Sequence, residues 1–296
     1  MKKVQFLFFF FLVLTGTSFS QESALVDFPM KESSLLWKIE GQGIPNGSYI
    51  FGSMHLIEKE YFLFPDKLEK LVKKSDQLVM EIAGMPSQSE AMEMVMLKEG
   101  TFFDYFTKEQ TDSIIQWAQA EMNLSEPAFR STMTKMKPFV VVQMATQMQF
   151  MGKTESYELT FEKIARENDI AIKGLETAAQ QMAIFDDLTN AQQTEMVMDG
   201  IRNEDKSLEL IQNMQKMYVR QNVDSLYLMI QQEGGVLSDE QASFLDSRNK
   251  NWVPQIKELI AEKKTFIAVG AGHLGGPNGV LRLLEKEGYT LTPVKL

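Results

Sequence analysis

Apolar and polar residues alternate at both ends of the chain, and the stretch between follows helical spacing. LLWKIEG and SYIFGSM flank the turn-rich GIPNG and show strand-like alternation, which predicts an antiparallel pair. Pro65 opens a short helix with apolar positions at Leu68, Leu71 and Val72. QLVMEIA, residues 77–83, follows as a strand. A strand, a helix and a strand within about thirty-five residues have the layout of a parallel βαβ unit.

The middle, residues 87–263, reads as mostly helical. TKEQ, residues 107–110, is a capping box ahead of Ile114, Ile115, Ala118 and Met122. Pro138 suits the first turn of a helix that places Val141, Met144, Ala145, Met148 and Met151 on one face. One strand, AIKGLE at residues 171–176, interrupts, and helices resume to about residue 260. The end returns to alternation: TFIAVG is a short buried strand, PNGVLRLLEKEG a helix stopped by Gly288, and YTLTPV a last strand. These elements predict an α/β fold. A mixed sheet is assembled from both chain ends (residues 35–85, 170–177 and 264–296), and a large helical insertion at 87–263 covers it. Residues 21–296 are expected to be a single domain.

The first twenty residues stand apart. Lys2 and Lys3 precede nine apolar residues, Phe6 to Leu14, and then TGTSFS offers a small-residue cleavage site after Ser20. Residues 1–20 therefore read as a signal peptide, since the apolar run is too short to span a bilayer. The expectation is an exported protein, periplasmic or secreted, with no stable membrane anchor after cleavage. There is no cysteine, which removes disulfides, thiolate metal sites and a cysteine nucleophile. The whole chain carries −10; without Lys2 and Lys3 it holds 28 Lys and Arg against 40 Asp and Glu, or −12. An acidic surface repels phosphates, so nucleic acid is not an expected partner.

The 296 residues contain two histidines, and both sit in Gly-x-x-His-Leu: GSMHL carries His55 and GAGHL carries His273, 218 positions apart. Each box begins where an apolar strand stops. In open α/β sheets ligands bind beyond the carboxyl ends of strands, so both imidazoles are candidates for one sheet edge. Imidazole titrates near neutrality and is the commonest metal ligand. One histidine at a strand end is more often a satisfied polar residue; two in one frame with none elsewhere favour a site. Hydrolytic metal sites add carboxylates. Glu81 is the only charge inside LVMEIA, and a carboxylate in an apolar strand needs a partner. Glu176 ends KGLE, where a helix-start acid is an equal alternative. Arg248 and Asn249, in SRNKNW, read on pattern alone as helix surface. H-E-x-x-H, G-x-S-x-G and a phosphate-binding glycine loop are all missing. Eleven of the chain's 20 methionines fall between Met80 and Met151. On helices they are more often core filler than an adaptable groove for a peptide.

Taken in order, GSMHL, VMEIA, KGLET with AAQQ, DSRNKNW and FIAVGAGHLGG…LEKEGYTL resemble the TraB/GumN (TraB/PrgY/GumN) family, which includes the Tiki proteins. The likeness spans nearly all of the mature chain, and the C-terminal block is its most specific part. A Ser-Tyr-Glu segment at Ser156–Glu158 is similar to some bacterial members. The resemblance implies a mixed sheet with helical insertions, similar to the ChaN and erythromycin-esterase-like folds. From the Tiki branch, whose members are membrane-anchored, it implies a metal-dependent protease. Carried over, His55 and His273 become metal ligands and Glu81 a ligand or the base that activates water. Arg248 and Asn249 become catalytic-site residues, and Glu176 a substrate-binding candidate. The resulting expectation is a metal-dependent hydrolase, a peptidase, using manganese, cobalt or zinc on a peptide or small-molecule substrate. A metal-free esterase-type hydrolase and a non-enzymatic peptide- or pheromone-binding protein are the alternatives.

Overall fold

The computed structural model describes residues 28–41, 43–44, 47–84, 86–233 and 238–296. The expected leader and the Pro45-Asn46 centre of the first turn lie outside them. The strands are β1 (Leu36–Glu40), β2 (Ser48–Ser53), β3 (Ile57–Glu58), β4 (Gln77–Ile82), β5 (Thr154–Glu155), β6 (Ala171–Glu176), β7 (Thr265–Gly270) and β8 (Thr290–Pro293). The helices are α1 (Asp66–Lys73), α2 (Gln88–Val95), α3 (Lys108–Glu121), α4 (Glu126–Met133), α5 (Phe139–Gln149) and α6 (Tyr157–Glu167). They continue with α7 (Ala178–Asp187), α8 (Asn190–Arg202), α9 (Glu204–Tyr218), α10 (Val223–Glu233), α11 (Ser238–Glu262) and α12 (Val280–Lys286). The α/β class and the mixed sheet built from both chain ends are as the alternation predicts.

The six-stranded sheet runs β6-β4-β7-β2-β1-β8. β6, β4, β7 and β2 are parallel, and β1 runs against both β2 and β8. The βαβ expectation holds, with one strand interposed. β2 and β4 are parallel and joined through α1, but β7, which arrives some 180 residues later, lies between them. Both faces of β7 are buried, and its continuous apolar run is what a central parallel strand requires. The four parallel strands end on one edge of the sheet, and that shared edge positions everything below.

Two large cores are present. One, around the sheet, holds Trp37, Phe51, Phe161, Trp252 and Phe266. The other lies within the helical middle and holds Phe102, Phe129, Phe139, Phe185 and Met196. Capping boxes start α2, α3, α7 and α8, the α3 box being the Thr107–Gln110 pair read from the sequence. The apolar face of α5 holds only in part. Val141 and Ala145 are buried, whereas Met148 is 41 % exposed and Met151 73 %. The helix stops at Gln149, and Phe150 turns away to pack with Leu56 and Ile211 in a small third cluster. The antiparallel pair β3–β5 locks that segment beside the residues that follow His55. Among the described residues, no helix is long and apolar enough to cross a membrane.

Candidate active site

Parallel pairing explains why the two histidine boxes share a frame. β2 and β7 are neighbours in register, with Gly52 opposite Val269 and Ser53 opposite Gly270. Their strands therefore deliver Gly-x-x-His side by side at the carboxyl edge. Gly52 permits the fit: a Cβ there would stand 3.0 Å from Ala271 and from Leu274.

Glu81 is the common neighbour. It stands near the end of β4, beside β7, and is 5 % exposed. Its Oε1 lies 3.7 Å from His55 Nε2 and 3.9 Å from His273 Nε2, and it accepts the Gly270 N–H at 2.7 Å. The other oxygen, Oε2, accepts from Arg248 Nη2 at 2.6 Å and from Gln181 Nε2 at 2.9 Å. Burial alone would raise its pKa, but Arg248, His273 and His55 outweigh it and hold the carboxyl far below the usual range.

The imidazoles are anchored in the same way. His273, 4 % exposed, faces Asn249 Oδ1 with its Nδ1 at 2.7 Å. The Asn249 amide nitrogen donates to Asn278 O, so the oxygen is the acceptor and Nδ1 of His273 carries the proton. His273 Nε2 is then a lone pair, and Arg248 Nη1 lies 3.0 Å from it. Burial and Arg248 push this imidazole down to about 3, so it is neutral at physiological pH. His55 presents Nδ1 to Glu158 Oε1 at 3.0 Å and is more open, with 27 % of its side chain exposed. Burial would lower its pKa, but Glu158 and Glu81 prevail and raise it to about 9. Glu158 accepts from Ser53 Oγ at 2.7 Å and from Ser156 Oγ at 3.2 Å.

Arg248 and Asn249 are not helix surface: they are 6 % and 1 % exposed, on the inner face of α11. The Arg248 guanidinium also meets Glu176, with Nη2 to Oε1 at 2.5 Å and Nε to Oε2 at 3.1 Å. It stacks over Trp252, 4.6 Å from the ring centre, and the Trp252 ring lies 4.4 Å from His273. Glu176 accepts from Trp252 Nε1 and Gln181 Nε2 as well. Thr177, not Glu176, caps α7. Burial pushes the Glu176 carboxyl up, against the pull of Arg248. All six residues singled out from the sequence thus converge on one edge. Glu158 carries no functional signal of its own in the sequence, because a glutamate at the second position of a capped helix looks like an ordinary first-turn acid.

The donors suit a divalent cation in kind. Both rings donate Nδ1–H to an acceptor and leave Nε2 for the site, the arrangement that orients ligand histidines. Two donors about 2.1 Å from one cation stand at most about 4.2 Å apart, and both Glu81–histidine separations fall within that. Gly270 leaves a cradle among them, since a Cβ there would lie 3.2 Å from Glu81 Oε1 and 3.9 Å from His55 Nε2. Among the described residues, however, no group of three such side chains stands at closed metal-holding geometry. Arg248 Nη1 takes the His273 lone pair, and a cation would have to displace it.

No curated protein and no solved structure matches the chain. The model of the TraB/PrgY/gumN family matches residues 35–293, from the first strand of the sheet to the last. The match takes in both histidine boxes and every residue of the cluster they build, and the chain belongs to the TraB/PrgY/gumN family.

Proposed function

We propose that the protein is an exported, metal-dependent hydrolase with a peptide substrate, in which His55, His273 and Glu81 hold a manganese, cobalt or zinc ion. One observation carries this reading: two imidazoles, each fixed through Nδ1, bring Nε2 within 4 Å of the same carboxylate oxygen. When bound, such an ion polarises a scissile carbonyl and acidifies the attacking water. The rest is the work of this chain's side chains. Glu158 and Asn249 hold Nδ1 of the two rings so that each Nε2 faces the site, and at His55, raised to about 9, a cation would have to displace the Nε2 proton. Glu81, held ionised, suits a ligand better than a base. Glu176, whose two oxygens accept from Arg248, Gln181 and Trp252, holds the guanidinium in place at the edge where substrate would lie. Arg248 balances the two carboxylates and turns Nη1 toward the reacting centre, where an oxyanion would form.

A metal-free hydrolase is the second reading, and the 3.0 Å contact of Arg248 with His273 Nε2 favours it. It carries a cost. A histidine held at about 3 is a poor general acid near neutrality, and His55, raised to about 9, is protonated there and suits only the acid role, which leaves the base to a carboxylate. A peptide-binding protein without turnover would draw on the exposed Met148 and Met151 instead.

The test is metal content by mass spectrometry on protein purified without a histidine tag, beside His55→Ala and His273→Ala, followed by peptide cleavage with and without chelator. Near-stoichiometric metal in the parent, lost in both variants, together with chelator-sensitive cleavage, is the expected result. Cleavage that survives chelation but not His55→Ala transfers the reading to acid–base chemistry. Tight peptide binding with no cleavage transfers it to sequestration.

A further inference from the structure

The wall behind His273 contains a second charged cluster, which the chemistry above leaves unused. Asp224, in the first turn of α10, is fully buried. Its Oδ1 accepts the Gly276 N–H at 2.8 Å and Arg282 Nη1 at 2.6 Å. Its Oδ2 accepts the Lys31 N–H at 2.6 Å and Arg282 Nη2 at 2.9 Å. Arg282 Nη1 closes the ring by donating to Gly276 O at 3.0 Å. Both backbone groups of Gly276 are therefore engaged, three residues after His273. Gly276 has φ of +80°, which a side chain would strain, and an added Cβ would strike the Tyr227 ring at 2.5 Å. At Gly275 a Cβ would lie 2.2 Å from Val223 O. The loop is pressed onto α10 with no space to spare.

The same two charges hold the start of the described chain. Arg282 donates to Pro29 O and lies over the Phe28 ring at 4.8 Å, and Lys31 pairs with Glu285 on α12. One buried Asp–Arg pair thus ties three separate pieces together: the segment Phe28–Lys31, helix α12, and the loop after His273.

We propose that Asp224 and Arg282 are positioning residues for the site, clamping the N-terminal strap Phe28–Lys31 onto the loop that sets the place of His273. The inference rests on the reading of His273 as a site residue, but neither clamp residue touches the reacting centre. Asn249 grips the other side of the loop through Asn278 O, so the imidazole sits between two holds. Release of one lets the ring wander while the sheet stays intact.

The test needs neither substrate nor metal, so it can fail separately from the proposed function. In protein labelled with ¹⁵N, the two histidines give two imidazole signals, and amide exchange is read residue by residue. In Arg282→Gln the Gly276 amide should exchange roughly ten- to a hundredfold faster, the loss expected when a hydrogen bond to a charged group opens. The His273 signal should broaden or shift while that of His55 stays put. Exchange within β7 should not change. Unchanged Gly276 protection and an unchanged His273 signal overturn the proposal, as does a loss of protection spread equally over β7 and the loop, which is general weakening. Lys31→Pro removes the strap's N–H donor along with the Lys31–Glu285 pair, Lys31→Ala removes the pair alone, and the difference between the two covers the case in which Arg282→Gln fails to fold. Lys31→Pro should speed Gly276 exchange roughly three- to tenfold over Lys31→Ala, and no difference there overturns the strap.

Discussion

The sheet edge and the helical middle bury side chains by opposite rules. In the helical core, Phe102, Phe129, Phe139, Phe185 and Met196 fill volume, and nothing in their chemistry singles out one arrangement. At the sheet edge, Glu81, Arg248, Asn249 and His273 are buried as deeply, yet each is bound to named atoms of the others. A buried charge tolerates burial only while its partners stay in place, so this region is specific and fragile where the other is tolerant. The difference teaches which region tolerates change: an apolar core can be repacked at small cost, whereas a buried charged network loses stability when one partner is removed.

The largest expected effect removes the centre of that network. Arg248→Met removes the guanidinium that pairs with both Glu81 and Glu176, leaving the His55 cation beside Glu81, and should cost about 3–5 kcal/mol of stability. Urea unfolding measures it; a loss under about 1 kcal/mol would mean the edge is wetter and looser than its contacts indicate. Phe129→Ala, in the helical core, should cost about as much, about 3–5 kcal/mol, by leaving a cavity. It sharpens the contrast because the imidazole signals of His55 and His273 should not move. A shift in either would show that the two regions are coupled.

Gly270→Ala comes next. Its methyl would stand 3.2 Å from Glu81 Oε1, inside the cradle between the donors. A fold penalty of about 1–3 kcal/mol is expected from overpacking, with a complete loss of divalent-ion uptake by equilibrium dialysis. Uptake equal to the parent's would place any metal elsewhere.

A smaller effect is read in pH. In metal-free protein, His55 should titrate near 9 and His273 near 3. The raised His55 contributes stability that is complete below its ordinary value of about 6.5 and is lost as pH rises through about 9. The depressed His273 acts in the other sense: its stability is present above about 6.5 and lost as pH falls toward about 3. Glu158→Gln should return His55 toward its ordinary value and leave His273 where it is. A His55 titration that ignores this change would separate the ring from Glu158.

Much of the edge was legible because its residues are odd where they stand: two histidines in one frame, and one glutamate in an apolar strand. Arg248 and Asn249 were not legible from pattern, because a charged residue on a long helix looks the same whether its face meets water or a sheet edge. Family resemblance, not periodicity, pointed to them. Glu158 escaped for a related reason. Its place beside His55 depends on the two-residue pair β3–β5, too short to leave any alternation in the sequence. The place of β7 between β2 and β4 was hidden too, since neighbours along the chain are expected to be neighbours in the sheet.

The smallest change bears on the boundary between the two regions. Met148 and Met151 belong by sequence to the helical middle, yet they flank Phe150, which packs on Leu56, next to His55. Both are exposed, so replacing them together with serine removes little packing and should shift stability by no more than about 0.5 kcal/mol. Their flexible thioether side chains suit an irregular apolar partner, and a peptide crossing the sheet edge beside His55 is the partner the proposed activity supplies. Under the hydrolase reading the double variant should weaken peptide binding a few-fold and leave turnover of bound peptide unchanged. Under the sequestration reading it should abolish binding, while His273→Ala does not. Were peptide affinity untouched, the helical middle would be a support for the edge and nothing more, and the contrast between the two regions would be complete.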